Sequence, residues 1–254
     1  MDKNILDKLN RFLDSFEHKD DVVGCLVCGS FVTGNPNAHS DLDVHLILRE
    51  GVDYRERGNR IVDGLLIEYF SNSKKQIFAY FEDDYKSISP MSQTQFVTGE
   101  IIFDKTGEVK ELKEIAKAQM SKKYVDVNTE VSGLGLYAIW DSIDDLESMY
   151  EDDRADFEFV YYNRLNMLLK TYFWTQKIPY NAKTVLGHID SEITRRKYLL
   201  EEIEDEELKV LVKTCVTSSD RKAKLDAFKT IAKKILDKAG FDIATFAFKS
   251  PEEV

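Results

Sequence analysis

The chain has 254 residues, of which 43% are hydrophobic, and its 35 Lys and Arg against 46 Asp and Glu give a net charge of −11. This length predicts one or two domains, and the apolar fraction suffices for ordinary buried cores, which excludes disorder over most of the chain. An acidic protein repels phosphate backbones unless it carries a local basic stripe, so long nucleic acid is not an expected partner.

Neither a membrane span nor a secretion signal is predicted. The longest largely apolar stretches, residues 22–30 and 131–140, fall far short of the roughly 20 residues that cross a bilayer. Residues 1–20 alternate charged and hydrophobic side chains and offer neither an apolar core nor a small-residue cleavage site. We therefore expect a cytoplasmic protein that has no membrane partner.

Three cysteines, Cys25, Cys28 and Cys215, are too few for a disulfide scaffold, which fits a reducing cytosol. Cys25 and Cys28 form a C-x-x-C pattern inside a predicted strand, where residues three apart point to opposite faces. No second Cys/His pair completes a zinc set. The pattern favours packed core positions over a metal or redox site.

The first half of the chain mixes helical and strand patterns. Ile5, Leu9, Phe12 and Phe16 recur at three- and four-residue spacing and predict an opening amphipathic helix. A Gly-, Asn-, Pro- and Ser-rich loop occupies residues 29–40. Strands are predicted at residues 22–28, 41–48, 61–70 and within 99–108, and a short helix at 93–97 after Pro90.

From about residue 109 onward, helical periodicity replaces the strand signals. Two apolar stripes mark long helices, the second ending near a possible C-cap glycine: Tyr161, Leu165, Leu168 and Tyr172, then Leu225, Phe228, Ile231 and Ile235 before Gly240. Periodicity is lost between residues 119 and 129. We therefore predict an α+β fold, with a small mixed sheet in residues 1–122 and a helical bundle in residues 123–254.

The residues that suggest chemistry begin where the first predicted strand ends. Gly29 permits a sharp turn or a close backbone approach, and Ser30 can cap a following short helix. Such a turn directs backbone N–H groups and a hydroxyl at one place, which can hold a phosphate without a basic side chain. Asp41 and Asp43 follow, two apart in a strand, so their carboxylates share a face. Adjacent carboxylates repel each other unless a cation lies between them, and oxygen ligands favour magnesium or manganese.

A third carboxylate, Glu68, lies inside an apolar predicted strand, where a lone acid is costly to bury unless a charged group meets it. Beside Asp41 and Asp43 it would complete a cluster able to hold two divalent ions for phosphoryl displacement. Taken singly, Asp41 could be a loop-end acid, and Glu68 could point outward from an exposed edge. The joint occurrence of Gly-Ser, Asp-x-Asp and a strand-embedded acid in this order favours the cluster.

In these residues the chain resembles the nucleotidyltransferase superfamily typified by DNA polymerase beta, whose signature is Gly-Ser, a spacer, Asp-x-Asp and an acid on a later strand. The resemblance implies that a nucleoside monophosphate passes from a nucleoside triphosphate to a hydroxyl with release of pyrophosphate, aided by two Mg²⁺ ions, or Mn²⁺ in their place. It implies that Asp41 and Asp43 bind both ions, that Glu68 binds the catalytic one, and that Gly29 and Ser30 hold the triphosphate. Many members have Asp in the place of Glu68, so direct metal ligation and a role as base both stay open.

The plan of an α/β head and a helical tail is similar to bacterial antibiotic nucleotidyltransferases that act on aminoglycosides and lincosamides. Residues 95–116 look like the strand, turn and helix that lead from head to tail in those enzymes. The resemblance implies a catalytic domain at 1–122, a substrate-binding domain at 123–254, AMP as the transferred group and a small-molecule acceptor, which can be cationic. Many of those enzymes are dimers, so a homodimer is compatible with it.

An acidic run at residues 141–158 has two readings. It is either a solvated helix face or an acidic wall that attracts a polycationic acceptor and supplies a general base. Asp141, Asp144 and Asp145 are the base candidates because they adjoin apolar positions.

Two cations could also contact a triphosphate. Arg164 lies on the apolar stripe of its helix, which fits a buried structural salt bridge as well as a phosphate contact. Lys183 lies in a loop before a helical run and could be simply exposed. His39 and His45 are interpreted as groups behind the acids or at the surface.

Three other functions compete with small-molecule modification. A protein-adenylylating antitoxin resembles the head alone, so the helical second half disfavours it. A nucleotide-binding module without turnover would be suggested by loss of an acid, but all three are present. RNA tailing is disfavoured by the net charge of −11.

Overall fold

The structure is a computed structural model that describes residues 1–249. The described chain divides into two compact units. The first comprises Met1–Val125 together with Lys197–Leu199, and the second comprises Asp126–Arg196 and the described residues from 200 onward. The predicted α+β class is confirmed, because the first unit contains a mixed sheet with helices and the second is built from helices.

A five-stranded sheet forms the centre of the first unit. Its strands are β1 (Val22–Cys28), β2 (Leu42–Leu48), β3 (Glu56–Val62), β4 (Leu65–Ser73) and β5 (Glu100–Asp104). They are ordered β3-β4-β2-β1-β5. The β2–β4 pair is parallel and the other pairs are antiparallel, so the sheet is mixed.

Five α-helices accompany the sheet: α1 (Lys3–Ser15), α2 (Ser30–Thr33), α3 (Lys74–Ser87), α4 (Met91–Thr98) and α5 (Glu108–Met120). A 3₁₀ helix at Lys19–Asp21 leads from α1 into β1. The Asp2 side chain caps α1 by accepting from the Asn4 N–H, which satisfies one of the donors that a helix start leaves free. The helices predicted at the start of the chain and after Pro90 are therefore confirmed as α1 and α4.

The sheet is covered on both faces. One apolar cluster joins Leu9 and Phe12 of α1 to alternate residues of the central strands, Val44 and Tyr69 among them. The opposite face carries Leu26, Cys28 and Ile47, which pack with side chains of α3, α4 and α5. Because successive strand residues point to opposite faces, the odd-numbered residues Asp43 and His45 of β2 lie on the α3–α5 side.

The strand predicted at residues 61–70 is confirmed over residues 65–70, but it is not continuous, because a hairpin turn separates two strands there. β3 ends at Val62 and β4 starts at Leu65. The linking residues Asp63 and Gly64 have φ values of 46° and 79°, as the tight turn of an Asp-Gly hairpin requires. Lys8 of α1 donates to the Asp63 carbonyl at 3.0 Å, and Arg11 pairs with its carboxylate, so the helix holds the hairpin turn.

The second unit contains α6 (Gly133–Glu151), α7 (Phe157–Thr175), α8 (Val185–Asp190), α9 (Glu192–Tyr198), α10 (Glu206–Thr217) and α11 (Arg221–Lys238). The end of α9 groups with the first unit. The two predicted apolar stripes lie in α7 and α11, and their residues are buried in one core. Gly240 follows α11 with φ of 62°, the conformation that glycine supplies after a helix end.

All three cysteines are buried and free. Cys25 and Cys28 belong to the cores on opposite faces of the sheet, so the core interpretation of the C-x-x-C pattern is confirmed. Burial raises the pKa of the Cys25 thiol to about 12, which keeps it protonated and unreactive.

Among the helices of the described residues, none combines the length and the apolar character that a membrane crossing needs.

Close packing between β1 and α5 leaves no room for a side chain at Gly24, where a Cβ would overlap Cγ2 of Val109. Gly24→Ala is expected to lower the free energy of unfolding by about 1–3 kcal/mol, the usual cost of overfilling a core. Urea unfolding at neutral pH measures the loss. Combining Gly24→Ala with Val109→Ala is expected to cost less than the two single changes together. Strict additivity would contradict this contact.

Candidate metal and phosphate site

Three carboxylates meet at one end of the α3–α5 face of the sheet. Asp43 in β2 and Glu68 in β4 are direct partners in the parallel pair, and Asp41 lies one residue before β2. One oxygen from each carboxylate lies within 4.8 Å of the others, and all three residues are half-buried. The fold therefore brings together the three acids that the sequence singled out.

Gly29 lies against this cluster. It follows Cys28, the partner of Asp43 in the β1–β2 pair. Its φ is +80°, and a Cβ at this position would overlap Oδ2 of Asp43. Only glycine combines this backbone conformation with such a close approach.

Ser30 is the first residue of the four-residue helix α2 and does not cap it. Gly29 occupies the N-cap position, and no side chain supplies a capping hydrogen bond, so the expectation that Ser30 caps the helix is wrong. Ser30 and the first backbone N–H groups of α2 nevertheless follow directly after Gly29, the residue that lies against Asp43. These N–H groups have no acceptor within the helix.

The pKa of Asp43 is raised to about 6. Burial is the largest cause, and the negative charges of Asp41 and Glu68 add to it. Lys197 and Arg57 oppose the shift. The ionised cluster is thus short of positive charge. Three oxygen donors on a partly desolvated surface fit a hard divalent cation such as Mg²⁺ or Mn²⁺.

Arg57 of β3 is a site residue that the sequence analysis missed. Its Nη2 and Nε donate to the same oxygen, Oε1 of Glu68, at 2.6 and 3.2 Å. Its guanidinium also lies 4.8 Å from the centre of the Phe70 ring. The Asp-Gly pair at residues 63–64 was the signal that would have revealed β3, and with it Arg57.

An aromatic column lies behind Arg57. Phe70 stacks on His45 with ring centres 5.2 Å apart, and His45 packs against Phe96 at 5.0 Å. His45 is buried, and burial lowers its pKa to about 4, although the nearby Gln95 side chain partly opposes the shift. The imidazole is therefore neutral at pH 7. Of the two predicted histidines, His45 is a packing residue behind the acids.

His39 is exposed in the loop before β2, where its backbone N–H donates to Oδ1 of Asn37 at 2.8 Å.

Lys197 was also missed by the sequence analysis. It groups with the first unit, and its charge lowers the pKa of Asp43 against the larger effect of burial. The carbonyl of the adjacent Tyr198 accepts from Oγ1 of Thr94 at 3.4 Å.

The two predicted phosphate-binding cations belong to the second unit. Nη2 of Arg164 lies 3.5 Å from the Asp145 carboxylate. The two side chains are 31% and 51% exposed, so this ion pair is not the buried one that the sequence suggested, and it does not test a phosphate contact. Lys183 is exposed in a turn, where its backbone N–H donates to Oδ1 of Asn181 at 2.9 Å. A role for either in triphosphate binding stays a prediction.

Much of the acidic run at 141–158 is engaged in ion pairs inside the second unit. Its paired acids and their partners are Asp145 with Arg164, Glu147 with Lys229, Asp153 with Arg221, Asp156 with Arg154, and Glu158 with Lys224 and Arg221. These acids balance local positive charge, which favours a structural role for them. Asp141 and Asp144 stay the stronger candidates for contact with an acceptor.

No protein-family model and no curated protein sequence matches the chain. Solved structures that match include a nucleotidyltransferase-like protein from Exiguobacterium sibiricum. That match has 9% sequence identity and a TM-score of 0.48, and it covers 93% of this chain and 77% of the other. Such a likeness decides neither the fold nor the activity of this chain.

The raised pKa of Asp43 predicts a pH-dependent effect of Asp43→Asn. In the unfolded chain this carboxyl ionises near pH 3.8, but in the folded chain only near pH 6. Its ionisation therefore removes stability between about pH 4 and pH 6. With allowance for its partial exposure, Asp43→Asn is expected to add about 1–2 kcal/mol to the free energy of unfolding above pH 6.

Urea unfolding with EDTA at pH 4.5 and pH 8 measures this gain, which should grow with pH. Asp83→Asn, the same change at an exposed position of α3, serves as the control and should show no such growth. A gain of equal size at both pH values would contradict the interpretation of the cluster.

Proposed function

We propose that the protein is a Mg²⁺-dependent nucleotidyltransferase that moves a nucleoside monophosphate, AMP in the first instance, from a nucleoside triphosphate to a hydroxyl of a small molecule. The observation that carries the proposal is the meeting of Asp41, Asp43 and Glu68 beside the Gly29 turn. Phosphoryl transfer requires that a site bind both a cation and a phosphate. A carboxylate cluster can bind the cation, and the backbone N–H groups at the start of a helix can bind the phosphate.

In this proposal the carboxylates of Asp41 and Asp43 hold both divalent ions, and Glu68 holds one of them or accepts a proton. Bound divalent ions supply charge neutralisation at the transferring phosphoryl group and at both reacting oxygens. The acceptor oxygen forms a bond to the α-phosphorus, the bond to pyrophosphate breaks, and the hydroxyl proton passes to a carboxylate. Gly29 and Ser30 hold the triphosphate through the backbone N–H groups at the start of α2.

The proposal assigns acceptor binding to the helical second unit. A cationic small molecule, such as an aminoglycoside, is the acceptor class that the acidic residues Asp141 and Asp144 would attract. Lincosamides are the second class to be tested. Arg164 and Lys183 are proposed to contact the triphosphate, and a homodimer is compatible with these assignments.

Transfer can be tested with each α-³²P-labelled nucleoside triphosphate, Mg²⁺ and pooled aminoglycosides and lincosamides. Label is expected on a small molecule, with ATP as the preferred donor. Asp43→Asn is expected to lower the rate at least about 100-fold. Mutation of a residue that only orients a metal ligand costs roughly 10- to 100-fold, and loss of a ligand itself should cost no less. Asp83→Asn, which preserves the cluster, should retain the rate.

The outcomes of this experiment separate the competing functions. Label on a protein would indicate that the acceptor is a partner protein, as it is for adenylylating antitoxins. Triphosphate binding without label on any acceptor would favour a binding module. If the chain binds no triphosphate in the presence of Mg²⁺, the proposed function is wrong.

A further inference from the structure

The ion pair between Arg57 and Glu68 has an unusual asymmetry. Two nitrogens of the guanidinium donate to Oε1 of Glu68, at 2.6 and 3.2 Å, and thus both hydrogen bonds restrain one oxygen. The other oxygen, Oε2, takes part in neither bond. An arginine that served only to neutralise the carboxylate would gain more from bonds to both oxygens, the usual bidentate arrangement.

The guanidinium is itself supported from the core. Arg57, Phe70 and His45 are direct cross-strand neighbours across β3, β4 and β2. The guanidinium lies over Phe70, Phe70 stacks on His45, and His45 packs against Phe96 of α4. This aromatic column restricts the positions that an otherwise flexible arginine can adopt.

Stability does not account for the pair. The Arg57 side chain is 70% exposed, and exposed ion pairs contribute only about 0–1 kcal/mol to folding. Glu68, in contrast, needs an external restraint. Its side chain has one more rotatable bond than those of Asp41 and Asp43, and each free torsion lowers the fraction of time spent in a ligating geometry.

We propose that Arg57 is the positioning residue of the carboxylate cluster: it holds one oxygen of Glu68 so that the other is available to a divalent cation shared with Asp41 and Asp43. This inference rests on the proposed function. It assigns to β3, a strand without a carboxylate in the cluster, control over the metal affinity of the site.

Mn²⁺ binding in the absence of nucleotide tests the role directly, because the electron paramagnetic resonance signal of free Mn²⁺ falls as the ion binds. Arg57→Gln is expected to weaken Mn²⁺ binding about 10-fold or more, the effect typical of residues that orient metal ligands. Arg57→Lys retains the charge but cannot place two nitrogens on one oxygen. It is therefore expected to weaken binding to a similar extent.

Arg60→Gln is the matched control. Arg60 lies three residues farther along β3, so it points to the opposite face, where its guanidinium lies 5.8 Å from the centre of the Tyr69 ring. The charge change is identical, and Mn²⁺ affinity should stay within about 2-fold of the original chain. Thermal unfolding of all variants should be nearly unchanged, because the side chains are exposed.

A simple electrostatic role for Arg57 makes the opposite prediction. Removing a positive charge near a cation site removes a Coulomb repulsion and by itself strengthens cation binding. Tighter or unchanged Mn²⁺ binding by Arg57→Gln would therefore overturn the positioning role. An Arg57→Lys chain that binds Mn²⁺ as the original chain does would overturn it as well, since charge without geometry would then suffice.

Steady-state kinetics supply the second measurement. If Arg57 positions Glu68, saturating Mg²⁺ should restore much of the Arg57→Gln rate, whereas the KM for the acceptor should stay within about 2-fold. Failure of the original chain to bind Mn²⁺ would overturn the proposed function together with this role. Normal Mn²⁺ binding by the original chain and by Arg57→Gln alike would overturn the role of Arg57 alone.

Discussion

Electrostatic repulsion among Asp41, Asp43 and Glu68 is the constraint around which the first unit is arranged. Three carboxylates within 4.8 Å of one another would separate if their strands could move. They cannot, because β2 and β4 pair in parallel with Asp43 directly opposite Glu68, and apolar clusters pack on both faces of β2 and on one face of β4. The cores thus supply the free energy that keeps these like charges together, and such an arrangement suits a bound cation.

The residues around the cluster accommodate the repulsion among the three carboxylates in different ways. Gly29 lacks the side chain that would displace the Asp43 carboxylate. Arg57 supplies a positive charge from one side only, at a single oxygen of Glu68. His45, although basic by type, is kept neutral by burial, which lowers its pKa to about 4, so it adds packing without charge.

The sequence predicted most of the elements that carry the acids. Val22–Cys28 is β1 as predicted, and the buried stripes of α7 and α11 follow the helical periodicity. These predictions succeeded because apolar periodicity is a local property of the chain. The three acids could be singled out for the same reason, since strand alternation assigns Asp41 and Asp43 to one face.

Other features depend on contacts between distant residues. β3 was missed because its pattern of charged and small residues lacks an apolar stripe, and each of its residues is exposed or half-buried at the sheet edge. Arg57 could not be assigned to the site from the sequence, because it reaches the site only by pairing with Glu68, a residue of the next strand. In the second unit, the acidic run could be assigned to ion pairs only once α11 had been brought against α6 and α7.

The attachment of α1 to the hairpin turn links the start of the chain to the carboxylates. Lys8 and Arg11 bind Asp63, the turn fixes the register of β3, and β3 carries Arg57. As an edge strand, β3 pairs only with β4, and such strands open locally before the whole fold unfolds. A change that removes these α1 contacts would therefore leave the hairpin turn less restrained, and through β3 and Arg57 its effect would reach the orientation of Glu68, although Lys8 and Arg11 lie outside the carboxylate cluster.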